Sequence, residues 1–355
     1  MMETRLIELP GLTLAELRET MVSWQQPAFR AEQIYTWIYH RFVADFAEMR
    51  NLPLAFRTLL AERCTLGVLE VVQLSQAEDQ QSDKVLFRAD DGQLFESVLM
   101  RYPERNTVCL SSQIGCALGC ALCATGQSGF VRDLRPAEMM AQLLHFGRVL
   151  NREGAHITNV VLMGMGEPLL NYDAVWHILQ IANDTAGLGL GARRFTISTA
   201  GIIPGIDRLA SEGTSVGLAI SLHAPDDDLR NELVPLNRRY PLAQLVAAAK
   251  RFSENTGRRV TWEYALAAGV NDRPEQAKRT AALLAGMHFH VNLIPLNPTP
   301  GCSFKPSPME KVLAFQEVLQ RARIRTTIRL RRGDDITAGC GQLRGAEMDD
   351  DDDEE

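Results

Sequence analysis

Three cysteines fall within eight residues, in Cys116-Ala-Leu-Gly-Cys120-Ala-Leu-Cys123. Thiolates at CxxxCxxC spacing can wrap a single loop around one cubic iron–sulfur cluster. A closed zinc site, or a cluster held wholly by protein, would want a fourth ligand nearby, and none follows. Three ligands would leave one iron open to chelation by a small molecule. Zinc binding or simple redox use fits the same spacing. Four further cysteines complete the set: Cys64, Cys109, Cys302 and Cys340. An odd count without an export signal argues against a disulfide framework. Cys109 ends a predicted strand, where Val108 and Leu110 are compatible with a core position. Cys340 stands in Thr337-Ala-Gly-Cys340-Gly-Gln, a polar, glycine-flanked loop where an apolar filler is out of place. Cys64 and Cys302 match no motif and read as structural.

The elements that must position these groups are legible from periodicity. Leu14, Leu17, Met21 and Trp24 recur at helical spacing, Ile34, Trp37, Ile38 and Phe42 share a second helical face, and Pro53 opens a third helix. Residues 1–66 are thus expected to form a helical accessory domain. Residues 67–101 read as a small antiparallel β region with a hairpin turn at Asp90-Asp91-Gly92. Residues 102–345 alternate strand and helix. Predicted helices run over 134–150, 172–183, 203–211, 242–256, 274–285 and 309–322. Predicted strands run over 157–163, 194–198, 216–222, 260–265, 290–295 and 326–330. Six βα-type units give an α/β fold with a parallel sheet, closed or nearly closed into a barrel. Functional groups in such folds sit at the C-terminal ends of strands.

Composition bounds the setting. The 355 residues are 46% hydrophobic and 23% charged, as in an ordinary globular protein. No apolar run approaches the roughly 20 residues that span a bilayer, and the N-terminus lacks the layout of a signal peptide. A cytoplasmic location without membrane contact is expected. The net charge of −7 at first argues against a nucleic-acid partner. Asp349–Glu355 is an unbroken acidic run that accounts for all of it, and 346–355 reads as a disordered tail. Local basic stretches then emerge: Arg321, Arg323, Arg325, Arg329, Arg331 and Arg332 crowd one segment. Arginine pairs stand at 193–194, 238–239 and 258–259. Such patches could track phosphates.

The cysteine loop resembles that of the radical S-adenosylmethionine enzymes. Met163-Gly-Met-Gly-Glu167-Pro168, directly after a predicted strand, resembles the glycine-containing loop with which that superfamily meets the methionyl amine. There glycine lets the backbone approach a ligand closely. The likeness is tighter still. Cys109-Leu-Ser-Ser-Gln-Ile-Gly-Cys116, Cys123-Ala-Thr-Gly-Gln-Ser-Gly-Phe130, Gly164-Met-Gly-Glu-Pro-Leu-Leu-Asn171, Ser221-Leu-His-Ala224, Leu293-Ile-Pro-Leu-Asn297-Pro298 and Arg332-Gly-Asp-Asp-Ile336 with Cys340-Gly-Gln-Leu343 are together similar to the bacterial adenine-C2 RNA methyltransferases. Those enzymes act on 23S ribosomal RNA and on transfer RNA. The resemblance covers everything but the acidic tail.

It implies a radical S-adenosylmethionine partial barrel of (β/α)6 type. It implies a 4Fe–4S cluster on Cys116, Cys120 and Cys123, and two molecules of S-adenosylmethionine per turnover. The cofactor-binding positions are Glu167, Pro168, Ser198, Ser221, Leu222, His223 and Asn297, all at or just after predicted strand ends. Ser198-Thr-Ala-Gly201 departs from the family's serine-rich wording at Ala200. Cys340 is implied as the carrier of the methyl group, and Cys109 as the thiol that resolves a protein–RNA adduct through a transient Cys109–Cys340 disulfide. Glu96, otherwise a lone strand acid, is implied as a proton acceptor. A low-potential electron donor such as flavodoxin and a monomeric enzyme complete the expectation. The sister methyltransferase that modifies carbon 8 of the same adenine shares the cluster, both cysteines and the glycine loop. The complete helical N-terminus favours the C2 enzyme.

Overall fold

The computed structural model describes residues 6–299, 302–329 and 332–345. The acidic run, expected to be a disordered tail, lies outside these residues, as does the expected end of the last strand at Leu330. Three helices open the chain: α1 (Leu14–Ser23), α2 (Arg30–Tyr39) and α3 (Leu54–Arg63). α1 starts from a capping box, in which Thr13 accepts from the Glu16 amide and Glu16 accepts from the Thr13 amide. The buried stripe of α2 differs from the expected one. It is Ala31, Ile34, Tyr35, Ile38 and Tyr39, whereas Phe42 lies beyond the helix at φ 53. The two tyrosines can go inside because their hydroxyls donate to the carbonyls of Leu12 and Pro10. The buried apolar residues of this helical segment and of the sheet that follows form one continuous core.

Among the described residues, ten strands form one sheet in strict chain order. They are β1 (Leu69–Gln76), β2 (Ser82–Ala89), β3 (Leu94–Tyr102), β4 (Arg105–Cys109), β5 (Asn159–Leu162), β6 (Phe195–Thr199), β7 (Gly217–Ser221), β8 (Val260–Leu266), β9 (Phe289–Pro295) and β10 (Arg325–Ile328). β1 to β4 pair antiparallel, and β4 to β10 pair parallel. The antiparallel strands expected as a separate small sheet are therefore hydrogen-bonded, through β4, into the parallel one. Six crossovers carry the helices α4 (Pro136–Arg152), α5 (Tyr172–Asn183), α6 (Ile203–Ser211), α7 (Leu242–Thr256), α8 (Pro274–Leu283) and α9 (Met309–Arg321). This is the expected α/β partial barrel, with one closing strand beyond its six units. The sheet stays open, with β1 and β10 as its edges. No helix among the described residues is long and apolar enough to cross a membrane.

Two short features were not legible beforehand, and both bear on the cysteine loop. Gln113–Gly115 and Phe130–Asp133 pair antiparallel and bracket it like a clasp. The clasp is held to α4 by Arg132, whose guanidinium donates both Nη atoms to the buried Glu138 at 2.9 Å. The exit of β4 is fixed just as firmly. Gln142 on α4 exchanges two hydrogen bonds with the Ser111 backbone. Asn171 donates to the carbonyls of Ser112 and Leu134.

The glycine loop then closes on this exit. The amides of Ser112 and Gly164 donate to the carbonyls of Met165 and Leu110, and the Met165 amide donates to the Ser111 hydroxyl. A Cβ on Gly164 would stand 2.7 Å from the Leu110 carbonyl oxygen, and one on Gly166, at φ +98, 2.8 Å from the Gln113 amide nitrogen. Both glycines line the cavity described below, but the closest approach that requires them is chain against chain. Gly164→Ala should therefore lower the unfolding free energy by about 1–3 kcal/mol through overpacking. Gly67→Ala, which meets nothing within 4 Å, should change it by less than about 0.5 kcal/mol. Urea denaturation of the two variants checks both outcomes.

Candidate active site

The cysteine loop starts where the clasp ends. The Cys116 amide donates to the Gly129 carbonyl at 2.8 Å. The chain then turns so that the Cys123 amide reaches the Cys120 carbonyl at 3.2 Å, and the short helix Ala124–Gln127 follows at once. Gly126 is needed there, because a Cβ would stand 2.9 Å from the Cys120 amide nitrogen. All three sulfur-bearing residues line one cavity of about 180 Å³. Burial pushes the Cys116 thiol up to about 11 and the Cys120 thiol higher still, the neighbouring cysteines and Glu167 adding to it. Crowded thiols need positive charge to favour their ionised form; Arg230 supplies a little of it at Cys120, and an iron–sulfur group would supply the rest. Among the described residues no three Cys, His, Asp or Glu side chains close on a single point. The three instead share a wall, which suits a group of several metal atoms.

The rest of the cavity is built from strand ends. Ser198 comes from β6, Ser221 from β7, Ile294 from β9, and Asn297 from just after β9. Glu167, after β5, is buried and accepts from the amides of Ala200 at 2.7 Å and Leu169 at 3.1 Å. Burial raises its carboxyl to about 7 despite these donors. No cation of the chain pairs with it among the described residues, so a methionyl ammonium fits the place. Asn297 donates from Nδ2 to the Cys340 carbonyl at 3.0 Å, and its buried Oδ1 has no partner among the described residues. His223 has φ 58, uncommon for a side-chain-bearing residue and a mark of functional sites. Its Nδ1 accepts from the Ala265 amide at 3.0 Å, which leaves Nε2–H as the ring's donor. Asn271, unforeseen from sequence, holds that backbone by donating to the carbonyls of His223 and Ala265. Pro168 lines the cavity too. Leu222 does not: its side chain is wholly buried in the main core, and only its backbone serves the site.

Of three charged residues at the site, Arg230 and Glu263 escaped sequence reasoning, and Arg329 reads there only as part of a basic stretch. Arg230, fully buried on the short helix Asp227–Leu233, donates to the carbonyls of Leu222, Ala200 and Ser221 and to Asn237. It ties the ends of β6 and β7 together. Burial lowers its guanidinium to about 10. Glu263 of β8 lines the cavity, and its Oε2 accepts from Asn292 at 2.9 Å. Asn292 accepts in turn from Thr327, whose hydroxyl is used in doing so, so His290 Nε2 donates to Thr327. This polar chain runs along the inner face of β8, β9 and β10. Arg329 follows β10, and its strongest charge partners are Cys340 and then Glu263. A helix turn or strand period does not single out such residues, because their partners lie on other strands.

Cys340 lines the main cavity and also a smaller one beside it. Cys109 lines the smaller one. Residues far apart in the chain thus meet at one place. Burial pushes the Cys109 thiol up to about 12, with Cys340 adding to the effect and Arg329 opposing it. Both are free thiols, as are the other five cysteines. Cys64 is buried in the helical core, and Cys302 donates to the Ala121 carbonyl of the cysteine loop at 3.5 Å. Glu96 stands apart from both cavities. Its Oε1 pairs with Lys84 at 2.9 Å, and its Oε2 accepts from the amides of Arg344 and Gly345.

Two outcomes follow from this geometry. Arg230→Leu removes the Arg230 bonds to the Ala200 and Ser221 carbonyls and leaves the Leu222 carbonyl with the Ala224 amide alone, and should lower the unfolding free energy by about 3 kcal/mol or more; chemical denaturation measures it. His223 is held near 3 by burial first and Arg230 second, below its ordinary 6.5. Between those values the unfolded chain takes up a proton that the folded one refuses. The stability this histidine allows is present in full above about pH 6.5. It falls by about 1.4 kcal/mol per unit as pH drops toward 3. Glu167 acts in the opposite sense. The difference in urea stability between wild type and His223→Gln across pH 7 to 5 isolates the histidine, and parallel curves would refute it.

Comparison with known proteins agrees with this geometry. Residues 7–66 match the ribosomal RNA large subunit methyltransferase N-terminal domain, and residues 110–281 match the radical SAM superfamily. A probable dual-specificity RNA methyltransferase RlmN of Chloroflexus aurantiacus is 46% identical, the match covering 94% of this chain and 91% of the relative. Its counterpart in Moorella thermoacetica is 47% identical, with 97% and 99% covered. The crystal structure of a radical SAM methyltransferase from Sphaerobacter thermophilus superposes with a TM-score of 0.94 at 48% identity, over 96% of this chain and all of that one. The superfamily implies S-adenosylmethionine and a 4Fe–4S cluster as cofactors. Fold, cavity and relatives agree: the chain belongs to the RlmN family of dual-specificity RNA methyltransferases, within the radical SAM superfamily.

Proposed function

We propose that this protein methylates carbon 2 of adenine in 23S ribosomal RNA and in transfer RNA, passing the methyl group through Cys340. The observation that carries this reading is the position of Cys340, on the wall of the main cavity and of the side cavity with Cys109 at once. A residue that collects a group in one place and delivers it in another needs that position. Carbon 2 of adenine is electron-poor, so an ordinary transfer to a nucleophile does not serve. The cluster held by Cys116, Cys120 and Cys123, with S-adenosylmethionine, would supply the radical chemistry and the methyl group. Glu167, Asn297, Ser198, Ser221 and His223 would hold and orient that cofactor, Glu167 through its carboxylate and Asn297 through its free Oδ1.

The chain's own part is as follows. The Cys340 thiol loses its proton and takes a methyl group from a first S-adenosylmethionine, becoming a thioether. A second S-adenosylmethionine, with the cluster, would supply the radical that takes one hydrogen from this methyl group, and the carbon on Cys340 then bonds to carbon 2 of the base. Carbon 2 then gives up its proton and the adduct one electron, which the cluster would take back. Cys109 attacks the Cys340 sulfur and breaks its bond to carbon, the released carbon takes a proton to become the methyl group, and a Cys109–Cys340 disulfide is left that a reductant reopens. Glu96 could accept the carbon-2 proton only after Arg344 and Gly345 release its Oε2 and the segment over it lifts. Supply of electrons by a donor such as flavodoxin, a monomeric state and a cytoplasmic location belong to this reading.

Anaerobically purified protein, digested and analysed by mass spectrometry, should carry one methyl group on Cys340, and an unmodified Cys340 beside an intact cluster would sink the route. Cys340→Ala should abolish RNA methylation. Cys109→Ala should accumulate a protein–RNA adduct on denaturing gels. Hydrolysed RNA product should contain 2-methyladenosine; 8-methyladenosine would move the protein to the sister activity.

A further inference from the structure

The segment that carries Cys340 is gripped at two points by one buried ion pair. Lys84 of β2 and Glu96 of β3 face each other across register-adjacent positions, with Nζ and Oε1 2.9 Å apart and side chains 6% and 3% exposed. Each ion has bonding capacity left over, and the segment takes it. Lys84 Nζ donates to the Thr337 hydroxyl at 2.8 Å. Glu96 Oε2 accepts from the amides of Arg344 and Gly345 at 2.8 and 3.0 Å. Cys340 lies midway between these two anchors. We propose that the Lys84–Glu96 pair is a two-ended latch that seats the Cys340 segment over the cavity, making both residues positioning residues for the methyl-carrying thiol. The inference deepens the reading in which Cys340 carries the methyl group, and rests on it.

Three observations support this assignment. First, a buried ion pair is by itself a poor source of stability, because desolvation offsets the attraction unless further bonds satisfy both ions. Here those further bonds come from the Cys340 segment. Second, neither residue lines either cavity, so neither reaches a reacting atom in this arrangement. Third, the segment's contacts between the anchors face the catalytic apparatus. The carbonyls of Cys340, Gly341 and Leu343 accept from Asn297, the Ala124 amide and the Thr125 hydroxyl. The seat therefore sets the height of Cys340 against both the cysteine loop and Asn297. Thr337 stands at φ 48, a conformation that tertiary contacts must hold. The chemistry assigned to Cys340 needs it seated to collect a methyl group and freer to be resolved by Cys109. A latch made of a few charge-assisted bonds, rather than a packed core, meets both needs.

The test uses the cluster-loaded full chain and reads the seat directly. Hydrogen exchange of the Arg344 and Gly345 amides is followed by mass spectrometry, together with the rate of Cys340 alkylation by iodoacetamide in chain produced without iron and loaded with cluster afterwards, whose Cys340 carries no methyl group. Lys84→Met should raise both about tenfold, the loss of a bond to a charged group. Thr337→Val, which removes only the far anchor from a half-exposed site, should raise them about threefold. Thr337→Ser should restore wild-type rates. In RNA turnover, Thr337→Val should lower kcat with little change in KM. Thr337→Val decides alone should Lys84→Met fail to fold. Exchange and alkylation within twofold of wild type in Thr337→Val and in any folded Lys84→Met, with activity lost only in Glu96→Gln, would overturn the latch and leave Glu96 a proton acceptor. Absence of a methyl group on wild-type Cys340 would instead refute the functional reading, whatever the exchange rates show.

Discussion

A parallel sheet that opens a cavity at its strand ends leaves carbonyls there with no strand or helix to satisfy them. Arg230 resolves this. One fully buried guanidinium takes the carbonyls of Ala200, Ser221 and Leu222 and is itself steadied by Asn237. Because a guanidinium offers five donors in a rigid fork, it can bind several carbonyls without filling the space in front of them. The cavity is a consequence. Ala200 presents its amide to Glu167, Ser221 and His223 turn inward, and His223 is kept neutral in part by the same positive charge.

The opposite wall is organised by hydrogen bonds that run from one segment to another. The β4 exit and the glycine loop interlock through Ser111, Gln113 and Met165, and the clasp around the cysteine loop is anchored by Arg132 on Glu138. The antiparallel strands β1 to β3 therefore do more than widen the sheet. Lys84 and Glu96 on them reach the Cys340 segment, which returns from the far edge of the barrel. The segment follows β10 at one edge of the open sheet and lies against β2 and β3 near the other.

The elements were largely legible in the sequence. α5, α6 and α7 end where periodicity places them, and most strand limits moved by only a residue or two, because buried parallel strands and amphipathic helices write strong local patterns. The misplaced face of α2 shows the limit of such patterns. Tyr35 and Tyr39 replace Trp37 and Phe42 inside because carbonyls of Leu12 and Pro10 happen to be in reach of their hydroxyls. The clasp strands are too short to carry a period at all.

The sequence by itself determined the chemistry on offer: three cysteines in one loop, a glycine loop ending in an acid, and serine, histidine and asparagine at strand ends. Residue type and short-range spacing suffice for these, since each group lies within a few residues of the element that presents it. Only the tertiary structure decided which isolated residues meet. It brought Cys109 and Cys340 to the wall of one side cavity, placed Arg230, Glu263 and Arg329 about the main one, left Leu222 in the core, and set Glu96 against Lys84 and the Cys340 segment. Each of these depends on a partner brought from another strand by folding, and no local spacing records such a partner.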